Sequence, residues 1–514
     1  MADIVRVHGR ERGDRPILTF EGRTITYADM DRRSSQVAQA LRADGVGADD
    51  RIAYLEKNTP EYFEFSFGGA KLNAVTIALN WRLAPREIAQ ILEDAQAKVL
   101  LVGSEFVNTI EKIEGELTSV TKIVVLGEHP RWTSYEAWIG DQPADDPGVA
   151  ATGDDIAFQL YTSGTTGLPK GVMLTNDNLF ALLPGASEGW GFSPDMVNIG
   201  VMPLFHIAGS GWNTAVMFNG AHTIMTRDVD LQAILKAIPE HRVTHALFVP
   251  AVLQFLLSVP GVEDVDFSSL GTVVYGASPI TDRVLIRAME VFGADFIQVY
   301  GLTETTGAVT QLSPEDHDPE GNPDLLRSCG KPMHGVELRI VDAETGDDAA
   351  EGAVGEVWIR SSQNMKGYWG KPDETAAALT EDNWMKTGDA GFLQDGYLYL
   401  YDRVKDMIVS GGENVYPAEV ENVLMTHPAV ADVAVIGIPH ERWGETVKAI
   451  VVPAEGASPT PEELIGFSRE HLAHFKCPTS VDFSEALPRN PSGKLLKREL
   501  REPYWEGQDR RIGG

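Results

Sequence analysis

A chain of 514 residues with 43% hydrophobic content has ample material for buried cores, and it allows about three folded units at roughly 100–200 residues each. Its formal net charge of −32 argues against a nucleic acid partner, because a polyanion would be repelled rather than exchanged for counterions. The two cysteines, Cys329 and Cys477, lie far apart with no Cys-x-x-Cys spacing, which argues against a zinc site and for a reducing, cytoplasmic setting.

In chain order, the opening MADIVRVHGRERGDRP lacks the apolar stretch of a secretory signal. RIAYLEK (51–57) reads as a strand and PREIAQILEDA (85–95) as a helix. KVLLVG (98–103) and TKIVVLG (121–127) read as short buried strands. The alternation continues with a strand over 156–161, a helix at LQAILKAI (231–238), a strand at HALFVP (245–250), a helix at AVLQFLLSV, and strands at TVVYGAS (272–278) and FIQVYG (296–301). This pattern predicts an α/β fold with a large N-terminal domain of parallel sheets covered by helices. The longest apolar stretch, residues 246–259, carries Pro250 and Gln254 and is shorter than the ~18 residues of a membrane span.

Near residue 330 the texture changes. VELRIVDAETG, GEVWIRS and GYLYLYD alternate with period two, and Asp395-Gly396 is a hairpin signal, so a β-rich subdomain is expected at about 330–402. A charged stretch, YDRVKDMIVSGGENVYP, leads into a compact α/β unit: helix AEVENVLMTH (418–427), strands VADVAVIGIP and ETVKAIVVP, helix PEELIGFSREHLAHF (461–475) and strand SVDFSEALP. With the boundary expected at 402–405, residues 1–402 form the N-terminal domain and 403–514 a small mobile C-terminal domain.

Chemistry concentrates in five places. YTSGTTGLPKG (161–171) gathers Thr162, Ser163, Thr165 and Thr166, the glycines Gly164, Gly167 and Gly171, and Lys170. Hydroxyls, a cation and backbone amides freed by glycine suit a polyphosphate. It is not a Walker A loop, because Lys170 is preceded by Pro169 and followed by Gly171. The plainer alternative is a polar surface turn. VYGLTETTG (299–307) follows a strand and offers Thr303 to a phosphate and Glu304 to Mg²⁺, which favours one or two carboxylates plus substrate phosphates; an ordinary capped loop is the alternative. MKTGDAGFLQDGYLYLYDR (385–403) carries Asp389, a candidate for ribose hydroxyls, and Arg403. PRNPSGKLLKREL (488–500) presents Lys494 after a turn. MPLFHIAGSGW (202–212) sets His206 among apolar residues, either as a satisfied core histidine or as a partner for a substrate carboxylate.

These segments occur in an order that resembles the adenylate-forming superfamily over about residues 27–500, and the chain is most similar to its fatty-acid CoA ligases. YTSGTTGLPKG, YGLTE, KTGD, DRVKDMIVSGGENVYPAEVE and PRNPSGK carry the resemblance. It implies that Thr162, Ser163, Gly164, Thr165, Thr166, Gly167 and Lys170 belong to a mobile phosphate loop. Gly276, Ala277, Ser278 and Tyr300 would pass along the adenine, beside Gly301. Thr303 would touch the α-phosphate, Glu304 would hold Mg²⁺, and Asp389 and Arg403 would bind ribose. Lys405 would be a hinge, Gly411 and Gly412 would line the route of the CoA thiol, and Lys494 would be the adenylation lysine. Val409 departs from the lysine that many plant aryl-CoA ligases carry there. The acid pocket is expected from His206, Ser210, Trp212, Val249, Gly276, Gly301 and Gly307. An inward-facing Trp212 would shorten it.

The implied reaction takes ATP, CoA and a medium- or long-chain fatty acid to acyl-CoA, AMP and pyrophosphate. Alternatives within the family are aryl or ring-bearing acids, and an acyl carrier protein as acceptor. Two other classes compete. GASEG (185–189) fits the Gly-x-Ser-x-Gly of a hydrolase elbow, although that elbow needs a strand before it and a helix after it. A non-catalytic nucleotide-binding protein is the other. Integral membrane contact is not expected; peripheral membrane contact and a homodimer are both compatible with the pattern.

Overall fold

The structure is a computed structural model. It describes residues 1–162, 169–342, 345–403, 406–410, 413–440, 443–489 and 495–505, with backbone alone for 401–403, 409, 413–414 and 444.

Two large sheets form the body. One runs, edge to edge, through Lys331–Pro332, Gly307–Leu312, Asp295–Leu302, Thr272–Gly276, His245–Phe248, Val197–Gly200, His222–Met225, Pro16–Phe20 and Arg23–Thr26. The other runs through Gly367–Tyr368, Lys170–Thr175, Ile156–Thr162, Val75–Ala78, Arg51–Leu55, Ala97–Gly103, Lys122–Leu126 and Thr133–Ser134. Their inner strands are parallel, as the apolar runs predict, because parallel strands are covered by helices on both faces. Arg51–Leu55 is buried at every position. Helices such as Pro85–Ala95 and Leu231–Glu240 turn an apolar stripe inward and a polar face out.

At one edge each sheet changes hand. Ile156–Thr162 is parallel to Val75–Ala78 but antiparallel to Lys170–Thr175. Asp295–Leu302 is parallel to Thr272–Gly276 but antiparallel to Gly307–Leu312. Thr162 and the Thr303–Thr305 turn therefore both lie at the carboxyl ends of strands with a parallel neighbour, where α/β sheets leave room for ligands.

The β-rich part is a four-stranded antiparallel sheet of Val336–Val341, Gly355–Ser361, Trp384–Gln394 and Tyr397–Arg403. Along Gly355–Ser361 buried and half-buried positions alternate, which is the period-two signal made visible. Asp395 and Gly396 both have positive φ, 52° and 80°, as the two-residue hairpin turn between its last strands requires. Sheet membership changes between Arg403 and Ile408. Glu413–Val415, Ile408–Ser410, Gly444–Pro453 and Val430–His440 form a further sheet, with Ser480–Phe483 parallel to Gly444–Pro453. Helices Pro417–Met425 and Pro461–His471 supply Val420, Leu424 and Leu464 to its separate core.

The hydrolase elbow is overturned. Residues 185–189 lie within helix Asn176–Gly189, and Ser187 Oγ donates to the Leu183 carbonyl at 2.6 Å. A serine in mid-helix, bonded one turn back, is not lifted onto a strained strand-to-helix corner. A serine-directed fluorophosphonate is expected to leave Ser187 unmodified; peptide mass mapping of treated protein checks this.

Candidate active site

Four neighbouring parallel strands end at one rim, and each is followed by a residue expected in the pocket. Val197–Gly200 leads to His206, His245–Phe248 to Val249, and Thr272–Gly276 and Asp295–Leu302 carry Gly276 and Gly301 at their ends. The register sets Gly276 beside Val299. A Cβ on Gly276 would lie 2.1 Å from the Val299 carbonyl oxygen, and one on Gly301 would lie 1.8 Å from that of Gly307. Only glycine fits at either point, because the obstacle is backbone. Ala277 follows in the left-handed region, φ 68°, and leaves the rim exposed.

The turn after Gly301 is fixed on both sides. Leu302 N–H donates to Thr305 Oγ1 at 2.9 Å, and that hydroxyl donates to the Gly307 carbonyl at 2.9 Å. Gln363 Nε2 donates to the carbonyl of Ala308 at 2.8 Å, and Thr306 Oγ1 to that of Gln363 at 2.6 Å. Thr303 and Glu304 stay partly exposed on this braced turn.

The structure brings Glu304 and Lys170 to one aromatic ring. Tyr368 Oη donates to Glu304 Oε1 at 2.9 Å, and Lys170 Nζ lies 4.8 Å from the centre of the same ring. Thr162 pairs with Lys170 across the base of the Gly-rich connection. From the strand Asp295–Leu302, Tyr300 Oη donates to Asp389 Oδ2 at 2.7 Å, with both residues buried. Burial, followed by the Asp389 charge, raises the Tyr300 phenol well above its ordinary range, so it stays a donor. Asp389 faces Arg403 across the hairpin.

His206 caps helix Ile207–Phe218, and its Nε2 is sealed from solvent with no partner. Burial first, and then the Arg82 guanidinium, push its pKa down to about 4, so the ring is neutral at physiological pH. Gly307 lies against Ile207, the next residue: a Cβ there would sit 3.7 Å from Ile207 Cγ1. Ser210 and Trp212 turn elsewhere. Ser210 is fully buried with its hydroxyl on the His206 carbonyl, 3.1 Å away. Trp212 donates from its indole to Asn198 Oδ1 at 2.8 Å and packs on Trp190 and Phe192. It fills core, so the shortened pocket that an inward indole would give does not follow.

Ser163, Gly164, Thr165, Thr166, Gly167, Lys405, Gly411, Gly412 and Lys494 lie outside the described residues, as does the side chain of Arg403. Sequence reasoning missed Tyr368, Gln363 and the Tyr300–Asp389 bond. A Gly-Tyr-Trp run carries no chemical signature, and these contacts join residues 55 or more positions apart.

This fold and this rim define an ATP-using enzyme of the adenylate-forming class. The AMP-binding enzyme pattern matches residues 5–369, and the AMP-binding enzyme C-terminal domain matches 419–494. The chain belongs to the AMP-binding enzyme family, and it is an AMP-forming acid–thiol ligase. It is 42% identical to a fatty acid–[acyl-carrier-protein] ligase from Streptomyces coeruleorubidus, over 98% of this chain and 96% of that one. It is 36% identical to a long-chain-fatty-acid–CoA ligase from Mycobacterium tuberculosis, over 93% of each. Among solved structures, ATP-bound MatB from Rhodopseudomonas palustris superposes with a TM-score of 0.89 at 29% identity, covering 98% of this chain and 99% of that one.

The histidines give a pH prediction. Burial also lowers His222 to about 4 and depresses His245 and His317. Between about pH 6.5 and 4 the unfolded chain holds protons on His206 and His222 that the folded chain does not, so stability falls as pH drops through that window; His245 and His317 act in the same direction. For His206 the slope is at most about 1.4 kcal/mol per pH unit. Urea midpoints at pH 7, 6 and 5 should decline, and His206→Gln should flatten the decline.

Proposed function

We propose that the enzyme activates a fatty acid with ATP and passes the acyl group to the thiol of CoA. The observation that carries this reading is the convergence, at one rim of strand ends, of Lys170, Glu304, the Tyr300–Asp389 pair and a neutral His206. The long-chain acid is supported by likeness to two fatty-acid ligases.

A carboxylate is already ionised near neutrality, so the first half-reaction needs no strong base. One carboxylate oxygen bonds to the α-phosphorus of ATP as the bond to pyrophosphate breaks. The enzyme's task is in-line positioning and charge neutralisation. Neutral His206 can orient the acid by hydrogen bonding without adding charge. Thr162, the loop residues Ser163, Gly164, Thr165, Thr166 and Gly167, and Lys170 would face the β- and γ-phosphates, with Thr303 on the α-phosphate. Asp389 and Arg403 would hold ribose, and Gly276, Ala277 and Ser278 the adenine.

Glu304 suits Mg²⁺: it is a partly exposed oxygen donor, one oxygen of which is oriented by Tyr368. The ion, when bound, would neutralise phosphate charge. The CoA sulfur then attacks the acyl carbonyl and AMP leaves. Division of the chain at 402–405 lets Lys405 act as a hinge that exchanges Lys494 for the Gly411–Gly412 segment between the two halves.

The second reading is a carrier-protein acceptor, favoured by the likeness to an acyl-carrier-protein ligase. Preformed acyl-adenylate offered to the enzyme with CoA, or with a phosphopantetheinylated carrier, separates them. Thioester on CoA is expected, and thioester on the carrier alone would transfer the assignment. The core reading is tested by exchange of labelled pyrophosphate into ATP across acids of increasing chain length. Exchange with at least one long-chain acid is expected, and its absence with every acid would refute adenylation. Lys494→Ala should lower exchange about 10²–10³-fold, while thioester formation from supplied acyl-adenylate changes far less.

A further inference from the structure

Residues 365–369 belong to no motif that sequence reasoning singled out, yet they touch both halves of the phosphate end. Met365 N–H donates to the Glu304 carbonyl at 2.8 Å. Lys366 and Trp369 donate to the carbonyls of Met173 and Gly171 at 3.0 and 2.8 Å. Between them, Tyr368 pairs with Val172 in the sheet, donates its N–H to Thr375 Oγ1 at 2.9 Å and is only 8% exposed. Its backbone is therefore fixed and its side chain buried.

We propose that Tyr368 is a positioning residue for the phosphate end of the active site, its hydroxyl aiming the Glu304 carboxylate and its ring seating the Lys170 ammonium. The inference rests on the reading above of Glu304 as the Mg²⁺ ligand and Lys170 as a phosphate contact.

Lys170 and Glu304 are both partly exposed, and direct pairing would neutralise charge that the nucleotide and its cation need and would have to be broken on binding. Tyr368 gives each a neutral partner instead. Its face offers Lys170 a cation–π seat, and its hydroxyl takes one lone pair of Glu304 Oε1. Among the described residues no ion pair joins Lys170 to Glu304. The second carboxylate oxygen and the full negative charge of Glu304 are left for a cation, and the ammonium is left for an anion. Hydrogen bonds to a metal-binding carboxylate fix its rotation and commonly change metal affinity 10–100-fold when removed.

The test uses full-length enzyme, a non-hydrolysable ATP analogue and Mn²⁺ as the probe, titrated by electron paramagnetic resonance. Tyr368→Phe removes the hydroxyl and keeps the ring. It should weaken Mn²⁺ binding about tenfold and raise the Mg²⁺ concentration for half-maximal pyrophosphate exchange, with turnover at saturating Mg²⁺ falling less than about threefold. Tyr368→Leu also removes the seat of Lys170 and should in addition weaken metal-free binding of the ATP analogue. Wild-type Mn²⁺ affinity in a folded Y368F overturns the proposal, as does lost turnover with an unchanged Mg²⁺ requirement. If Y368F does not fold, Y368L carries the same metal test, because it too lacks the hydroxyl. Wild-type enzyme that catalyses no exchange defeats the parent reading; wild-type exchange with an unaltered Y368F defeats this one alone.

Discussion

Backbone hydrogen bonding along residues 365–369 is the constraint that ties the Glu304 turn to the strand beginning at Lys170. One large sheet carries the Gly-rich connection and the other carries the Thr303–Thr305 turn, and nothing in their separate topologies fixes the distance between them. The segment bonds to Glu304 at one end and to Gly171 and Met173 at the other. Each such bond contributes only about 1 kcal/mol to stability. Their larger consequence is geometric, since charges that act together must be held to within about half an ångström. Trp369 reinforces the brace: its indole donates to the Asp94 carbonyl at 2.9 Å and its ring lies 3.5 Å from the Arg51 guanidinium carbon. Tyr161, which opens the Gly-rich run, donates its phenol to Asp94 Oδ2 at 2.6 Å. Both stems of the connection are thus tied to the rigid body.

The second organising feature is the pair of close backbone approaches at Gly276 and Gly301. They let neighbouring strands approach closely at the rim, with no side chain between them. The buried Tyr300–Asp389 bond crosses from the large sheet to the four-stranded sheet. It couples the orientation of the Asp389 carboxylate to the strand Asp295–Leu302, so the smaller sheet is part of the rim's framework and not an appendage.

How much of this was legible follows from what each residue's signal depends on. Strands such as Arg51–Leu55 and Ala97–Gly103 announce themselves because burial on both faces demands an unbroken apolar run. The Asp395–Gly396 turn was readable because a two-residue hairpin needs positive φ at both positions. Glu304 and Asp389 stood out for their carboxylates within Gly-containing motifs, one suited to a divalent metal and one to ribose hydroxyls, although Asp389 proves to lie within the strand Trp384–Gln394 and not on a turn. Trp212 was not legible: its helix is apolar on nearly every side, so sequence could not say which face its indole takes, and the Asn198 acceptor that decides it comes from a neighbouring strand. Ser187 fits a five-residue pattern, but the helical run before it already argued against an elbow, and the serine does lie within that helix. Tyr368 was invisible because an aromatic residue in a two-residue edge strand looks like packing until its hydroxyl partner, 64 positions away, is seen.

Net charge opposes the chemistry at long range, since a chain of charge −32 must admit ATP, an organic acid and CoA, all anionic. The conflict dissolves with distance. At physiological ionic strength the Debye length is about 8 Å, so most surface carboxylates are screened from the rim. Many are also engaged locally, as in Arg33 with Glu64 and Glu136, or Arg131 with Glu111 and Glu114. The acid excess then acts on encounter and solubility, while the rim keeps a few oriented groups, among them Lys170, whose ammonium lies on the Tyr368 ring, and Glu304, which accepts from the Tyr368 hydroxyl. A neutral aromatic side chain thus serves both charged groups without cancelling either.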